Sequence, residues 1–317
     1  MQSKIYTLGL KTPLSGFSCL AHVRDYFKDE KTCEEFLEDF RWKGKPVCPY
    51  CSNTKVAWLK GDTKRLKCYG CRKQFGVKVG TIFHKSQIPL KDWFFAIFKL
   101  SSSKKGISSH ELARDLDVTQ KTAWFMAQRI REAFTSPDEL FIGEVEVDET
   151  YIGGKEANKH KHKRTPGTQG RSIKTKSSVL GIRSREGKVF ASLVANTTGR
   201  VILPLLNSRI EKGSSIYTDE YRPYRSLSVD YIHDFVKHKA AEYVRGSIHT
   251  NGLEGFWSLL KRSIIGIWHH LSKKHLVRYI NECSFRYNHS KVDGRTRFDI
   301  ALAICLAKRL DYKTLVG

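Results

Sequence analysis

Glu144-Val-Glu-Val-Asp-Glu-Thr-Tyr-Ile-Gly-Gly154 is the stretch on which the reading of this chain turns. Residues 144–152 read as a β-strand, and neighbouring side chains of a strand face opposite sides. Asp148 and Glu149 therefore cannot both serve one site, whereas Glu146 shares the face of Asp148. Two further strands are expected at Ser178–Ser184 and Lys188–Ala195, joined by Arg185-Glu186-Gly187, a hairpin signal. Thr198–Lys212 reads as a helix although Pro204 interrupts it, Ser215–Asp219 as a fourth strand, and Asn251–Asn288 as largely helical.

Three strands, a helix, a fourth strand and a late helix predict an α/β, ribonuclease-H-like (retroviral-integrase-like) sheet. That arrangement places one Asp on the first strand, one after the fourth, and a third carboxylate on the following helix. Asp148, Asp219 and Glu254 occupy those places, with 34 residues between the last two. Attack on a phosphodiester develops charge on the incoming and the leaving oxygen. Two Mg²⁺ ions ~3.5–4 Å apart stabilise both. Such hard cations prefer carboxylate oxygens, so the three carboxylates are candidate catalytic ligands of Mg²⁺ or Mn²⁺. Lys261 follows Glu254 by seven residues. That is about two helical turns, ~10.5 Å along the axis, so it can hold a phosphate from the same side, with Arg262 beside it.

Cysteine usage points to a second metal. Four of the eight cysteines form Cys48-Pro-Tyr-Cys51 and Cys68-Tyr-Gly-Cys71, separated by sixteen residues. This spacing suits a structural Zn²⁺ held by four thiolates. Trp58, Leu66 and Phe75 alternate with Lys and Arg between and after the pairs, as short strands of a zinc ribbon would. Lys45–Ile82 carries nine Lys/Arg against one Asp, which favours DNA as the ribbon's partner.

Arg24–Phe40 is locally acidic and reads as one or two amphipathic helices, and Ile88–Ser103 as an apolar helix with Pro89 near its start. Ile107–Phe134 reads as a helix-turn-helix. Ser108 and Glu111 fit a capping box. Asp117-Val118 makes the turn, and Thr119 caps a second helix whose inner face is Ala123, Ala127, Ile130 and Phe134. Gln120, Lys121 and Gln128 would then be free to enter a major groove, although an ordinary αα-hairpin gives the same periodicity. Pro137 marks a boundary. Lys155–Ser178 holds eight Lys/Arg and one Glu with few apolar residues, and is expected to be a mobile basic loop whose Lys161, Lys163 and Arg164 contact DNA.

The whole chain has 317 residues, 56 Lys+Arg and 32 Asp+Glu, a net charge of +24. That excess implies a polyanionic partner: nucleic acid first, an acidic membrane surface second. With 40% hydrophobic residues a wholly disordered chain is excluded. No apolar run approaches the ~20 residues of a spanning helix, and Met1–Phe17 lacks an apolar h-region. The expected location is cytoplasmic, at the nucleoid.

Taken in order, Asp148-Glu-Thr-Tyr-Ile-Gly-Gly-Lys155, Tyr217-Thr-Asp-Glu220 and His249-Thr-Asn-Gly-Leu-Glu-Gly-Phe-Trp-Ser-Leu-Leu-Lys-Arg262 resemble the D-D-E transposases of bacterial insertion sequences. The group resembled most carries an N-terminal zinc ribbon and is related to the Merlin elements. The ribbon and Gly80-Thr-Ile-Phe-His-Lys-Ser-Gln-Ile-Pro-Leu90 support it. The resemblance implies binding to terminal inverted repeats of double-stranded DNA, strand cleavage and transfer into target DNA, with a homodimer or larger assembly on the DNA. In that family the third catalytic residue is sometimes Asn, so Asn251 competes with Glu254. The expected organisation is an N-terminal helical segment (1–44), the ribbon (45–82), a helical DNA-binding region (83–137), a catalytic domain (138–300) and a C-terminal tail (301–317). The alternative is a non-catalytic, sequence-specific DNA-binding regulator derived from a transposase.

Overall fold

A computed structural model describes residues 17–61, 64–136, 139–168, 170, 172–236, 244–246, 248–307 and 309–316. The boundary expected at Pro137 and the leader reading of residues 1–16 lie outside them. The chain divides into two compact units: Met1–Ser103, Ile107–Phe134 and Val292–Gly317 form one, Lys104–Gly106 and Thr135–Lys291 the other.

The first unit opens with α1 (Leu20–Tyr26) and α2 (Glu30–Trp42). Asp29 starts α2 by accepting the Thr32 N–H at 2.9 Å, a helix N-cap. A three-stranded antiparallel meander follows, β1 (Val56–Trp58), β2 (Leu66–Cys68) and β3 (Gln74–Phe75). Next come α3 (Leu90–Ser102), α4 (Ser109–Leu116) and α5 (Gln120–Ala133). Helix α3 is buried on nearly every side because α1, α2 and α5 all pack on it. Pro89 has no side-chain acceptor to offer the start of this helix. Glu30 of α2 takes that role, accepting the Leu90 N–H at 2.7 Å and pairing with Lys78 through its other oxygen.

One boundary differs from expectation. The second unit ends at Lys291 rather than near residue 300, and residues 301–317 are no tail. Helix α9 (Gly294–Ala307) runs through the expected border and packs on α3, and a short α10 (Tyr312–Val316) follows. The cause is an apolar face at helical spacing: Phe298, Ala301, Leu302 and Cys305 are all fully buried. Phe298 stacks edge-on with Phe17 and Phe94.

The second unit is a five-stranded mixed sheet. Its strands are β4 (Glu144–Ile152), β5 (Ser177–Ser184), β6 (Val189–Val194), β7 (Ser215–Thr218) and β8 (Ile232–Phe235), in spatial order β6-β5-β4-β7-β8. The β6-β5-β4 half is antiparallel, and β7 and β8 join it in parallel. Strand β8 has no counterpart in the sequence expectation. One face carries Val145, Val147, Leu180 and Ile182 beneath α6 (Gly199–Arg209) and the 3₁₀ segment Arg222–Val229. The opposite face carries Ile152, Val179 and Val189 beneath α7 (Asn251–Ser263) and α8 (Lys273–Asn288). Between those two helices Ile264–Trp268 forms a π-type turn.

Candidate active site and metal centre

The alternation along β4 sorts its carboxylates. Val145 and Val147 enter the core under α6, which turns Glu146 and Asp148 toward α7. Asp148 lies opposite Gly181 of β5, and its Oδ2 accepts the Trp257 indole N–H at 2.9 Å. Glu149 turns its carboxylate the other way and accepts the Tyr224 hydroxyl at 2.6 Å, although it lines the same cleft as Asp148. Burial pushes that phenol up, and the adjacent Glu149 charge adds to the effect. Asp219 follows the last residue of β7, and its Oδ1 accepts the Tyr221 N–H at 3.0 Å. Glu254 sits in the first turn of α7.

Asp148, Asp219, Glu254, Lys261 and Arg262 all line one open cleft of about 480 Å³. Trp257 and Ser258 form part of its wall. Asn251, exposed at the first position of α7, is not among the lining residues. Burial raises the Asp148 carboxyl to about 6, and the charges of Asp219 and Glu254 push the same way against the Trp257 hydrogen bond. Three carboxylates that repel one another in a partly dry cleft gain from a bound cation, and an all-oxygen donor set suits a hard divalent ion. They are spread around the cleft: among the described residues, only the four cysteines bring three or more candidate ligand atoms within 4.8 Å of one another.

Behind the cleft lies a charge cluster that the sequence reading touched only through the parity of Glu146. Glu146 is fully buried and pairs with Arg183 at 3.0 Å and Arg185 at 2.6 Å. Arg185 also stacks over the Tyr217 ring at 4.9 Å. No local pattern marks these partners, since the pairing spans two strands.

The ribbon closes as expected. Cys48 and Cys71 bring their Sγ atoms to 3.6 Å, and Cys51 and Cys68 do the same. Zn–S bonds of ~2.3 Å put sulfurs ~3.8 Å apart on a tetrahedron's edge, so the four thiols fit one Zn²⁺. The Cys71 backbone N–H holds the Cys68 thiol down to about 7. Against the pull of the Asn53 backbone N–H, the Cys71, Cys68 and Cys48 thiols raise that of Cys51, so the metal-free cluster shares its protons, and a bound cation is what favours four thiolates.

Helices α4 and α5 begin as read: the Ser108 side chain accepts the Glu111 N–H and Thr119 accepts that of Thr122. The reciprocal half of the capping box is absent in this form, because Glu111 pairs with Lys99 at 3.3 Å. Gln120 and Lys121 are exposed at the start of α5. Gln120 donates to Ser109 Oγ at 2.8 Å, and Lys121 lies 5.9 Å above the Tyr312 ring. Gln128 must be withdrawn as a groove-reading residue, because it is fully buried. It neighbours Ala127 on a helix that packs against α3, α4 and α9, so the buried stripe is wider than its apolar residues. In the basic loop, Glu156–Asn158 and Lys161–Lys163 form 3₁₀ turns. Lys161 and Lys163 are exposed. Arg164 donates to the Lys159 and Ala157 carbonyls at 3.0 and 2.8 Å, staking the loop together. Gln169 and Arg171 of this loop lie outside the described residues.

Comparison with known proteins agrees with this layout. Residues 28–74 match the transposase zinc-ribbon domain, and residues 141–288 match the ISXO2-like transposase domain. An uncharacterized protein in transposable element ISH50 of Halobacterium salinarum is 27% identical over 292 residues, covering 88% of this chain and 98% of that protein. An uncharacterized transposase-like protein of Haemophilus influenzae is 28% identical over 108 residues, 34% of this chain and 87% of its own length. Among the described residues no helix is long and apolar enough to cross a membrane.

Proposed function

We propose that this chain, which belongs to the ISXO2-like transposases with an N-terminal zinc ribbon, binds the terminal inverted repeats of an insertion sequence and catalyses metal-dependent strand cleavage and strand transfer. The observation that carries this reading is the cleft: separate elements deliver Asp148, Asp219 and Glu254 to one opening edged by Lys261 and Arg262. All five lie inside the matched transposase domain. The sheet order, with an antiparallel first half and two parallel strands added, supports the ribonuclease-H-like assignment.

In this reading Asp148, Asp219 and Glu254 hold two Mg²⁺ or Mn²⁺ ions. Those ions would supply charge stabilisation to the attacking and leaving oxygens of the phosphodiester. The Trp257 indole N–H orients Asp148 by occupying one of its oxygens. Lys261 and Arg262, in the last turn of α7, receive the phosphates of the strand being cut. Glu254 is preferred to Asn251 as third ligand because it lines the cleft.

Recognition is assigned to the basic parts of the chain. The ribbon grips DNA as a folded zinc module. Helices α4 and α5 act as a helix-turn-helix, with Gln120 and Lys121 at the exposed end of the second. Lys161, Lys163 and Arg164 of the loop add phosphate contacts. Synapsis of two element ends calls for a dimer or larger assembly on the DNA, at the nucleoid.

The test uses purified full-length protein, a duplex carrying an element end, and Mg²⁺ or Mn²⁺. Wild type should nick or cut at the end and join a pre-cleaved 3′-hydroxyl end to target, and Asp148→Ala or Asp219→Ala should abolish both. Full strand transfer by either variant would sink the site assignment. Binding without cleavage by wild type would favour the DNA-binding regulator instead.

A further inference from the structure

Helix α7 carries Glu254, yet nothing in its own sequence sets how far along the sheet it sits. Two hydrogen bonds to β4 do so. Glu146 Oε2 accepts the Leu253 backbone N–H at 2.8 Å, and Asp148 Oδ2 accepts the Trp257 indole N–H at 2.9 Å. The first bond falls in the opening turn of α7, where backbone N–H groups lack partners within the helix. Thr250, at the cap position, makes no side-chain capping bond. The spacings match. Two residues along a strand advance ~6.7 Å, and four along a helix ~6 Å. A slip of one residue would turn α7 by ~100° and break both bonds together.

Two glycines make this fit possible. A Cβ on Gly252 would lie 2.2 Å from Arg183 Nη1, so the bare backbone there lets the guanidinium cross the helix start to reach Glu146. A Cβ on Gly181 would lie 2.5 Å from the Trp257 ring, so its absence opposite Asp148 seats the indole.

We infer that Glu146 and Trp257 are positioning residues that lock the register of α7 along β4, and that Gly252 and Arg183 serve this lock so that Glu254 is held at the cleft. The inference rests on the transposase reading for its consequence, not for its geometry.

The experiment compares full-length wild type with Gly252→Ala, Trp257→Phe and Glu146→Gln. Gly252→Ala is the most discriminating, because Ala suits a helix better than Gly and the clash falls on the movable end of Arg183. Thermal stability should fall modestly, because the displaced Arg183 leaves the buried Glu146 with one arginine fewer, so metal affinity and turnover are compared per folded protein. Mn²⁺ affinity of the DNA-free protein should fall about 10-fold or more, as when a partner that orients a metal ligand is lost. Turnover should fall ~10–100-fold, the order of effect of a ~1 Å misplacement, with KM for DNA nearly unchanged. Exchange of the Leu253 amide hydrogen should accelerate. Trp257→Phe should reproduce the metal and turnover losses and also speed exchange of the Leu253 amide, because the two bonds hold one register. If Glu146→Gln does not fold, the other two variants decide. Wild-type Mn²⁺ affinity and turnover in both would overturn the inference, as would turnover that drops only with the folded fraction. Should the wild-type chain neither bind Mn²⁺ nor cut DNA, the transposase reading fails. The Leu253 amide then still judges the lock, since unchanged protection in Gly252→Ala refutes it.

Discussion

Gly181→Ala is a one-methyl change whose consequence can be worked out in advance. Its Cβ would stand 2.5 Å and 2.7 Å from two atoms of the Trp257 ring and 2.9 Å from Leu253 Cδ2. Ordinary carbon contacts begin at about 3.5 Å, so the indole must retreat by about 1 Å from its 2.5 Å position. Both neighbours belong to α7, and β5 is a central strand paired on both sides, so the helix rather than the sheet must yield. The Trp257–Asp148 bond would stretch from 2.9 Å to about 3.9 Å, beyond hydrogen-bonding reach. Overpacking costs ~1–3 kcal/mol, and a hydrogen bond to a charged group ~1.5–3 kcal/mol. Ala in place of Gly within a strand returns ~0.5–1 kcal/mol. The net is a loss of roughly 1.5–5.5 kcal/mol, or a melting point lower by roughly 3–22 °C at ~2–4 °C per kcal/mol. Thermal unfolding followed by Trp fluorescence gives the first number, and a cleavage time course on the fraction still folded gives the second. That time course should be slowed by ~10–100-fold. Wild-type melting and cleavage in the Gly181→Ala protein would refute the reasoning that Gly181 exists to seat Trp257.

Three other outcomes are expected. Cys68→Ser should lose the ribbon's zinc, read by elemental analysis, and weaken end binding, because metal binding and folding of such a module are one process; retained stoichiometric zinc would contradict the four-thiolate site. Phe298→Ala, at a fully buried position, should destabilise the first unit by ~3–5 kcal/mol, measured by denaturant unfolding, and an effect below ~1 kcal/mol would contradict the core role of α9. Asp148, raised from 3.8 to about 6, binds its proton more tightly in the folded, metal-free protein than in the unfolded chain. This group's contribution to stability therefore falls as pH rises from about 4 to about 6, and Mn²⁺ affinity strengthens over the same range; a Mn²⁺ titration flat from about pH 5 to about pH 7 would count against it.

The salt dependence of binding offers a check on which residues of α5 meet DNA. Lys121 is exposed and Gln128 fully buried. Lys121→Ala should weaken binding to all sequences and reduce the salt slope by about 1. Gln128→Ala should lower stability and leave the slope alone.

Much of this molecule is legible from periodicity and spacing. Strand β4 falls on Glu144–Ile152 as the alternation requires, and β5, β6 and β7 lie within a residue or two of expectation. The four thiols converge as their spacing predicts, because the β1–β2 pairing brings the second knuckle back beside the first. Strand β8 escaped notice because it has four residues, sits at the sheet edge and leaves Ile232 exposed, so no clean apolar pattern marks it. A polar residue next to an apolar stripe reads as surface, whereas Gln128 is fully buried on a helix that packs against three others.

Local chemistry thus determined which face of β4 bears Asp148 and which four cysteines come together as candidate metal ligands. Tertiary structure alone decided that α9 returns to the first unit and that Trp257, by composition a core aromatic, donates to Asp148. It also decided that Glu146 ends under two arginines at the head of α7. The physical reason is the same in each case. A repeat of 2.0 or 3.6 residues sets the direction of a side chain about its own element. The position of one element along another is set by contacts between residues 37 to 109 apart in the chain, such as Glu146 with Arg183 or Asp148 with Trp257, and no local pattern encodes those.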